Sequence, residues 1–340
     1  MSDWFDEISK VELHRHLECT TRIQTIADIA RHHNLPLPHR DLGKLKALAQ
    51  ITKPMTDLKT VIDAFEAARS VLCAPEALER IAFEAVEDAW YDGIRVLELR
   101  YAPAFTTKGH QLTFDDAFDA FEKGIRKAQA KYPMGVGIIL ILVREFGKDS
   151  AEATFQHARK RRNSIVGLDL AGVERDFDFA TVAEYFQWAK ESKLGITVHA
   201  GEELGLENNV AKAVRELHAT RIGHGVQVRH DSEGFQSVIR DQITLELCPT
   251  SNWLTGAVER IEEHPLRHYL HAGARVTINS DDPGVFGIRL SGEFRLCSEK
   301  LGFTKPELLT TIRNSLDSSF LDADQKLFYE KKYFPTLEKK

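Results

Sequence analysis

The stretch Val-Glu-Leu-His-Arg-His-Leu (11–17) begins as an apolar strand and ends in two histidines. Residues two apart in a β-strand project to the same face, so His14 and His16 can face one metal ion while Arg15 points into the surrounding wall. An isolated His-x-His is more often a pair of ordinary polar residues at a strand end. The hypothesis of a metal site therefore depends on how other apolar runs of the chain end.

Two further apolar runs end in the same manner. Residues 196–198 precede His199, and residues 276–278 precede Asn279-Ser280-Asp281. Strands that end at one rim, each with a polar side chain there, are typical of an enzyme site at the mouth of a parallel barrel. Three imidazoles and one carboxylate suit a catalytic zinc that keeps one position open for water. The pattern favours hydrolysis over a structural metal.

Short β-rich runs alternate with longer amphipathic runs along the whole chain. Eight strands are predicted, at residues 11–17, 94–101, 136–143, 165–170, 195–199, 219–223, 243–248 and 275–279. Helical patterns lie between them, for example at residues 75–91, 114–131, 177–192 and 235–241. This alternation predicts an α/β fold, a (β/α)8 TIM barrel. The competing doubly wound sheet would need fewer strands and normally a glycine-rich phosphate turn after the first strand, which this sequence lacks.

The chain of 340 residues is predicted to form a single metal-dependent hydrolase barrel domain, residues 1–340. Barrels of this type often reach such a length as one domain. Two segments exceed a minimal barrel. Residues 22–90 are predicted to be a lid-like helical insertion over the barrel mouth, and residues 291–340 a helical tail.

Composition narrows the class of function. A net charge of −6 argues against nucleic acid as a partner. No stretch approaches the roughly 20 apolar residues of a membrane span, and residues 1–7 lack the layout of a secretory signal. The four cysteines show no disulfide-like spacing, so a cytoplasmic location is predicted, with a structural role for Cys248. A small-molecule substrate is expected, and the oligomeric state is left open.

Three motifs at strand ends contain candidate catalytic groups. Glu202 follows His-Ala-Gly (199–201), and a partly desolvated carboxyl group there could act as a general acid, although a carboxylate at a helix start is the equal alternative. His224 lies between two glycines that let its ring approach water or substrate, unless it simply occupies a tight turn. In Asn-Ser-Asp-Asp-Pro (279–283), consecutive carboxylates point in different directions, so one can bind metal while Asp282 meets substrate.

The order of these motifs resembles the adenosine deaminase family of the amidohydrolase superfamily. The matching blocks are Val-Glu-Leu-His-Arg-His-Leu-Glu (11–18), Gly-Leu-Asp-Leu-Ala-Gly-Val-Glu (167–174), His-Ala-Gly-Glu-Glu (199–203), Arg-Ile-Gly-His-Gly (221–225), Leu-Cys-Pro-Thr-Ser-Asn (247–252) and Asn-Ser-Asp-Asp-Pro (279–283). They follow the family order across almost the whole chain. The resemblance implies zinc-dependent hydrolytic deamination of a 6-aminopurine nucleoside, adenosine or 2′-deoxyadenosine first, to inosine or 2′-deoxyinosine and ammonia.

The resemblance also implies one Zn²⁺ per chain. Its ligands would be His14, His16, His199 and Asp281. Binuclear members of the superfamily often use a lysine at the end of strand four as a bridging ligand, and residues 169–172 offer none. A single zinc is therefore expected.

Further roles follow from the same resemblance. Glu202 would protonate the purine at N1, and His224 would orient and polarise the attacking water beside the metal ligand Asp281. Asp282 would hold N7, and the backbone of Gly172 would contact N3. These residues together would form the base side of the pocket.

The remaining pocket residues are predicted on the sugar side. Phe65, in the helical insertion, is expected to be an apolar pocket residue. Glu18 and Cys19 depart from the family pattern, which has Asp at position 18 in adenosine-specific members, where it contacts the ribose, and Gly at position 19. An altered sugar pocket is therefore predicted.

Several alternatives stay open. Within the class they are deamination of 6-aminodeoxyfutalosine and of free adenine, although adenine deaminases tend to have Asp where this chain has Gly223. A more distant alternative is another zinc amidohydrolase that acts on a cyclic amide or ester. Such an enzyme would not need Glu202 and Asp282 matched to N1 and N7. A non-catalytic zinc-binding barrel is the last alternative.

Overall fold

The computed structural model describes residues 3–36, 41–55 and 58–337, without the side chains of residues 58–63. In these ranges, eight parallel strands form one sheet in chain order. The strands are β1 (Lys10–His16), β2 (Ile94–Tyr101), β3 (Gly135–Val143), β4 (Gly167–Ala171), β5 (Gly195–Ala200), β6 (Arg221–His224), β7 (Thr244–Leu247) and β8 (Arg275–Ile278).

The end of β8 returns to β1. The His16 N–H donates to the Asp281 carbonyl over 2.9 Å, and the Asp281 N–H donates to the His14 carbonyl over 3.0 Å. These bonds bring the last strand against the first, so the sheet curls into a nearly closed barrel. The predicted (β/α)8 barrel is confirmed.

Helices surround the barrel. Across the described ranges they are α1 (Trp4–Glu7), α2 (Ile23–His32), α3 (Leu42–Ala49), α4 (Leu58–Ser70), α5 (Pro75–Tyr91), α6 (Pro103–Thr107), α7 (Phe114–Gln129), α8 (Gly147–Lys160), α9 (Ala183–Glu191), α10 (Asn208–Leu217), α11 (Ser232–Arg240), α12 (Pro249–Leu254), α13 (Leu266–His271), α14 (Pro283–Phe286), α15 (Leu290–Leu301), α16 (Lys305–Ser318) and α17 (Ala323–Tyr333). None of the described helices has the length and apolar character needed to cross a membrane.

Among the element boundaries that differ from the sequence prediction, two have a clear local reason. The helix expected at residues 177–192 is only Ala183–Glu191, because the Asp178 side chain caps a separate 3₁₀ turn, Phe179–Thr181. Strand β6 starts two residues later than expected. The N–H of Ala219 donates to the Ala213 carbonyl and so belongs to the end of α10.

Helices α2–α5 occupy the segment between β1 and β2, and α15–α17 end the chain. Backbone bonds tie the first segment to the barrel top: the Ile51 N–H donates to Val285 and the Met55 N–H to Leu254, each over 2.8 Å. These contacts hold Phe65 of α4 near the end of β1. Parts of the predicted domain, insertion and tail, residues 1–2, 37–40, 56–57 and 338–340, lie outside the described residues.

A fully buried ionic network fills the barrel beneath its mouth. The Arg100 guanidinium lies 2.8 Å from Asp169 and 2.7 Å from Glu246. The Arg221 guanidinium lies 2.5 Å from Glu246 and 2.6 Å from Glu98. Buried charges are tolerated only when they are paired, and removal of one partner leaves the other uncompensated. The network therefore fixes the strand side chains on which the site above it rests.

Candidate active site

Four side chains converge at the carboxyl ends of β1, β5 and β8. His14 Nε2 lies 3.1 Å and His16 Nε2 lies 3.3 Å from Asp281 Oδ1. His16 Nε2 is also 3.3 Å from His199 Nε2. His14 Nε2 is buried and makes no hydrogen bond of acceptable geometry to any described residue. His14, His199, Asp281 and His224 offer ligand atoms within 4.8 Å of one another, and His16 contacts Asp281 and His199 at the edge of this group. Imidazole nitrogens and a carboxylate oxygen are a donor set that fits zinc.

Buried carboxylates orient two of these imidazoles from behind. His14 Nδ1 lies 2.9 Å from Glu246 Oε2, and His199 Nδ1 lies 3.1 Å from Asp169. Imidazoles that bind metal characteristically donate their second N–H to such a partner, which fixes the tautomer and the ring orientation. Because Nδ1 is engaged in each ring, Nε2 is the atom presented to the cluster. This arrangement supports the fit to zinc.

Backbone geometry fixes Asp281. Its φ of 63° lies in the left-handed region, which is uncommon for a residue with a side chain. Glu12 holds the preceding turn by accepting from the Ser280 N–H over 2.9 Å. The Ser251 hydroxyl donates to Asp281 Oδ2 over 2.7 Å. Oδ2 is therefore occupied, and Oδ1 faces the imidazoles.

The charges of the cluster suit a cation. Burial lowers the pKa of His199 to about 3 despite the opposing Asp169, so its ring is neutral as a ligand must be. Burial opposes ionisation of Asp281, but the neighbouring imidazoles outweigh it and hold its pKa well below the usual range. Burial also opposes charge on His16, yet Asp282 and Asp281 raise its pKa to about 9. A proton on His16 and a metal ion would compete for the same negative charge.

Glu202 is held on a turn beside the cluster. The Glu174 carboxylate accepts from the N–H groups of Gly201 and Glu202, each over 2.8 Å, and from the Asn209 amide over 3.0 Å. Glu202 Oε2 lies 3.6 Å from His224 Nε2. Burial raises the pKa of Glu202 to about 7, against the opposing effect of His224. A carboxyl group with that pKa can carry a proton near neutrality and deliver it to a substrate.

A cavity of about 310 Å³ opens next to the cluster. Its lining residues are His16, Glu18, Cys19, Phe65, Ala102, Phe105, Ile141, Val143, Glu145, Ala171, Gly172 and Asp282. The wall is mainly apolar with a few acidic groups, and the volume is in the range of small-molecule sites, roughly 300–1,000 Å³. The structure thus places the predicted pocket residues around one cavity beside the predicted metal ligands.

Glu18 is a distinctive group in this wall. Its Oε1 accepts from the Ala102 N–H over 2.6 Å and lies 3.3 Å from the Thr106 hydroxyl. Its Oε2 is buried and has no hydrogen-bond partner among the described residues. Burial raises the pKa of Glu18 to about 7, although His16 opposes the shift. A buried carboxyl oxygen at the cavity wall is available to bind a polar group of a ligand.

Gly172 and Asp282 complete the wall. Gly172 has a φ of 94°, and a Cβ there would lie 1.9 Å from Glu145 Oε2, so the position requires glycine. Burial and the adjacent Asp281 raise the pKa of Asp282 to about 7. Both residues lie in the cavity wall, where the Asp282 carboxyl can carry a proton near neutrality.

The carboxylates that orient the histidines of the cluster were not predicted from the sequence. Asp169 and Glu246 each interrupt an apolar strand, in Gly-Leu-Asp-Leu-Ala and Thr-Leu-Glu-Leu. A carboxylate in a strand covered on both faces is costly unless it is paired, and this was a readable signal. Their partners, however, are far away in the sequence, and only the fold identifies them.

Comparisons with known proteins agree with this geometry. A protein-family model described as adenosine deaminase matches residues 9–331. The adenosine deaminase of Shewanella loihica is 34% identical over 326 residues, which cover 96% of this chain and 98% of that protein.

Solved structures with the same barrel are also similar. The adenine deaminase of Arthrobacter aurescens has a TM-score of 0.88 at 26% identity and covers 96% of this chain and 98% of its own. A zinc-bound amidohydrolase from Burkholderia ambifaria has a TM-score of 0.87 at 25% identity, with coverage of 98% and 91%. The ADAL–IMP complex has a TM-score of 0.84 at 25% identity and covers 97% of both chains.

These matches confirm the predicted zinc dependence and the predicted reaction class, a hydrolase that deaminates by acting on a carbon–nitrogen bond. The family model spans nearly the whole chain, and the relative in Shewanella exceeds 30% identity over almost its full length. This chain therefore belongs to the adenosine deaminase family of the amidohydrolase superfamily.

Proposed function

We propose that His14, His16, His199 and Asp281 bind the single zinc ion and that the adjoining cavity deaminates a 6-aminopurine nucleoside. The observation that carries this assignment is the approach of three Nε2 atoms and Asp281 Oδ1 to one another, with the second polar atom of His14, His199 and Asp281 engaged elsewhere. When bound, zinc supplies Lewis acidity that lowers the pKa of water from 15.7 towards about 7. The remaining chemistry falls to the chain's own side chains.

Glu202 is the proposed general acid. Protonation of the purine at N1 withdraws electrons from C6 and makes that carbon electrophilic. Water then adds its oxygen to C6 while one of its protons returns to the Glu202 carboxylate. Its second proton passes to the 6-amino group, and the C6–N bond breaks with release of ammonia and formation of the C6 carbonyl. The raised pKa of Glu202 supports this role because its proton is available near neutrality.

The other polar groups orient the reactants. His224, 3.6 Å from Glu202, orients the attacking water. N7 of the purine is an acceptor, so Asp282 holds it as the protonated acid. The backbone of Gly172 contacts N3. Together with the acid, these groups would contact the purine at N1, N3 and N7 and place the water at C6.

The sugar side is proposed to contain Glu18, Cys19 and Phe65, which line the same cavity. The unpartnered Glu18 Oε2 suits a hydroxyl donor such as those of a ribose. Adenosine and 2′-deoxyadenosine are therefore the first proposed substrates, with 6-aminodeoxyfutalosine and adenine as the alternatives. Residues 22–90 are proposed as a lid-like part of a single barrel domain, since they supply Phe65.

A glutamine substitution at Glu202 tests the acid. Glu202→Gln should keep one zinc and reduce kcat by about 10²–10⁴-fold, the usual contribution of a general acid. The matched control is Glu203→Gln, which changes the adjacent, exposed carboxylate that pairs only loosely with Arg175 over 3.4 Å. Turnover of the four candidate substrates is followed by the ultraviolet change on loss of the 6-amino group. Near-normal turnover by zinc-replete Glu202→Gln would remove the acid assignment.

A further inference from the structure

A buried chain of hydrogen bonds runs from a backbone amide to His224. The Leu266 N–H donates to His264 Nδ1 over 3.2 Å. His264 Nε2 lies 3.1 Å from Asn252 Oδ1, and Asn252 Nδ2 lies 3.0 Å from His224 Nδ1. Asn252, His224 and His264 are exposed by 0%, 2% and 5%, so water does not compete for these bonds. None of the roles proposed above uses Asn252 or His264.

The backbone amide of Leu266 decides which group donates and which accepts in each of these hydrogen bonds. An N–H can only donate, so His264 Nδ1 accepts. A neutral imidazole carries one proton, which must then be on Nε2 of His264. Burial lowers the pKa of His264 to about 3, which keeps this ring neutral. His264 therefore donates to Asn252 Oδ1.

The orientation of Asn252 follows from that donor. Its oxygen faces the His264 N–H and also lies 3.4 Å from the Cys248 N–H. A flipped amide would place its NH₂ group against both donors in a site shielded from solvent, and each unsatisfied buried group is costly. With the oxygen fixed, Asn252 Nδ2 must donate to His224 Nδ1. The only proton of a neutral His224 is then on Nε2.

We propose that Asn252 and His264 are positioning residues that hold His224 as its Nε2–H tautomer. This atom lies 3.6 Å from Glu202 Oε2 and 3.9 Å from Asp281 Oδ2, so its proton points into the reaction site. In this tautomer His224 orients the attacking water by donating a hydrogen bond to it. The inference rests on the proposed role of His224 and adds to that role which nitrogen acts and what decides it.

The left-handed backbone at His224 supports the same conclusion. Its φ of 64° is uncommon for a residue with a side chain and persists where surrounding structure determines it. The hydrogen bond from the Asn252 amide to Nδ1 can hold the His224 ring in this conformation. The backbone thus directs Nε2 to the site, and the hydrogen-bond chain ensures that this nitrogen carries the proton.

Two substitutions at His264 separate donation from packing. His264→Gln keeps an N–H donor for Asn252 Oδ1, whereas His264→Leu removes it, so that the Asn252 amide can flip. The control is His268→Leu, which changes an exposed histidine of α13 outside the chain of bonds. All proteins are prepared as the zinc form with ¹⁵N-labelled histidine. Long-range ¹H–¹⁵N correlation then reports the tautomer of His224, whose signals are identified by their absence in His224→Gln.

The wild type, His264→Gln and His268→Leu should show the Nε2–H tautomer. His264→Leu should lose its dominance, and its kcat should fall about tenfold, the factor of one lost hydrogen bond, with KM and zinc content unchanged. An Nδ1–H tautomer or an imidazolium in the wild type would overturn the inference, as would an unchanged tautomer in His264→Leu.

If His264→Leu does not fold, the wild-type spectrum can still overturn the inference on its own. It also separates this inference from the proposed function, because the tautomer is measured without turnover. A wild type that deaminates none of the four purines but shows Nε2–H would contradict the function alone.

Discussion

The substitution Asp169→Asn tests whether a carboxylate behind the cluster controls zinc affinity. Asp169 lies 3.1 Å from His199 Nδ1 and 2.8 Å from Arg100 Nη1, and all three side chains are buried. Asparagine keeps the shape but offers one acceptor oxygen and an NH₂ group. One of the two donors that face Asp169 must then lose its acceptor.

Two effects of this change can be calculated separately. Loss of the partner of a metal-binding imidazole typically weakens metal affinity 10–100-fold, or about 1.4–2.8 kcal/mol. Loss of charge opposite buried Arg100 weakens the fold itself, on the order of 3 kcal/mol for one partner of a buried pair. Since Arg100 keeps its contact with Glu246, we expect the loss of unfolding free energy to be no larger than this figure of about 3 kcal/mol.

The two effects appear in different measurements. Zinc affinity is measured by competition with a chromophoric chelator, and the free energy of unfolding by urea titration of the zinc-free protein. Asp119→Asn is the matched control, because it makes the same change at an exposed Asp, 2.7 Å from Arg161. The reasoning would be refuted by a zinc affinity within twofold of the wild type together with a lower free energy of unfolding. Asp169 would then stabilise the fold through Arg100 and have no effect on zinc affinity.

Three further outcomes are expected. His199→Ala should lose stoichiometric zinc in metal analysis, and tight one-to-one metal in that variant would contradict the ligand set. Burial raises the pKa of Glu293 from 4.5 to about 7, so the wild type should lose stability, up to about 3 kcal/mol, as pH rises through this interval. Glu293→Gln should therefore raise Tm at pH 8 but not at pH 5. An equal change of Tm at the two pH values would contradict the raised pKa of Glu293. Cys19→Gly should widen the sugar side and shift the ratio of KM for adenosine to KM for adenine about tenfold; an unchanged ratio would exclude Cys19 from selectivity.

The sequence predicted the barrel well because its signals are local and periodic. The run at residues 137–143 is apolar almost throughout, and each strand end is followed by polar or turn-forming residues. The positions of His14, His199 and Asp281 follow from the fold, since parallel strands of a barrel end at the same rim. Once the strands are placed, the approach of these three side chains at that rim follows from their positions in the sequence.

The supporting contacts could not be predicted in the same way. His14 and Glu246 are 232 positions apart, and the local sequence around either residue does not identify its partner. The same holds for Glu174, which lies in a recognised motif but acts by holding the backbone of Glu202. Such pairs arise from the register of strands and loops that are distant in the sequence, and their partners cannot be identified from a single sequence.

The reaction and the substrate preference therefore have different structural origins. The four proposed zinc ligands stand on strand ends whose relative positions the barrel hydrogen bonds fix. The proposed sugar side instead combines Phe65 of α4, in the segment between β1 and β2, with Glu18, whose carboxylate is held by Ala102 and Thr106 after β2. The two walls thus rest on different elements of the fold. We therefore expect substitutions in α4 or α6 to change the preference for the nucleoside more than they change the deamination step.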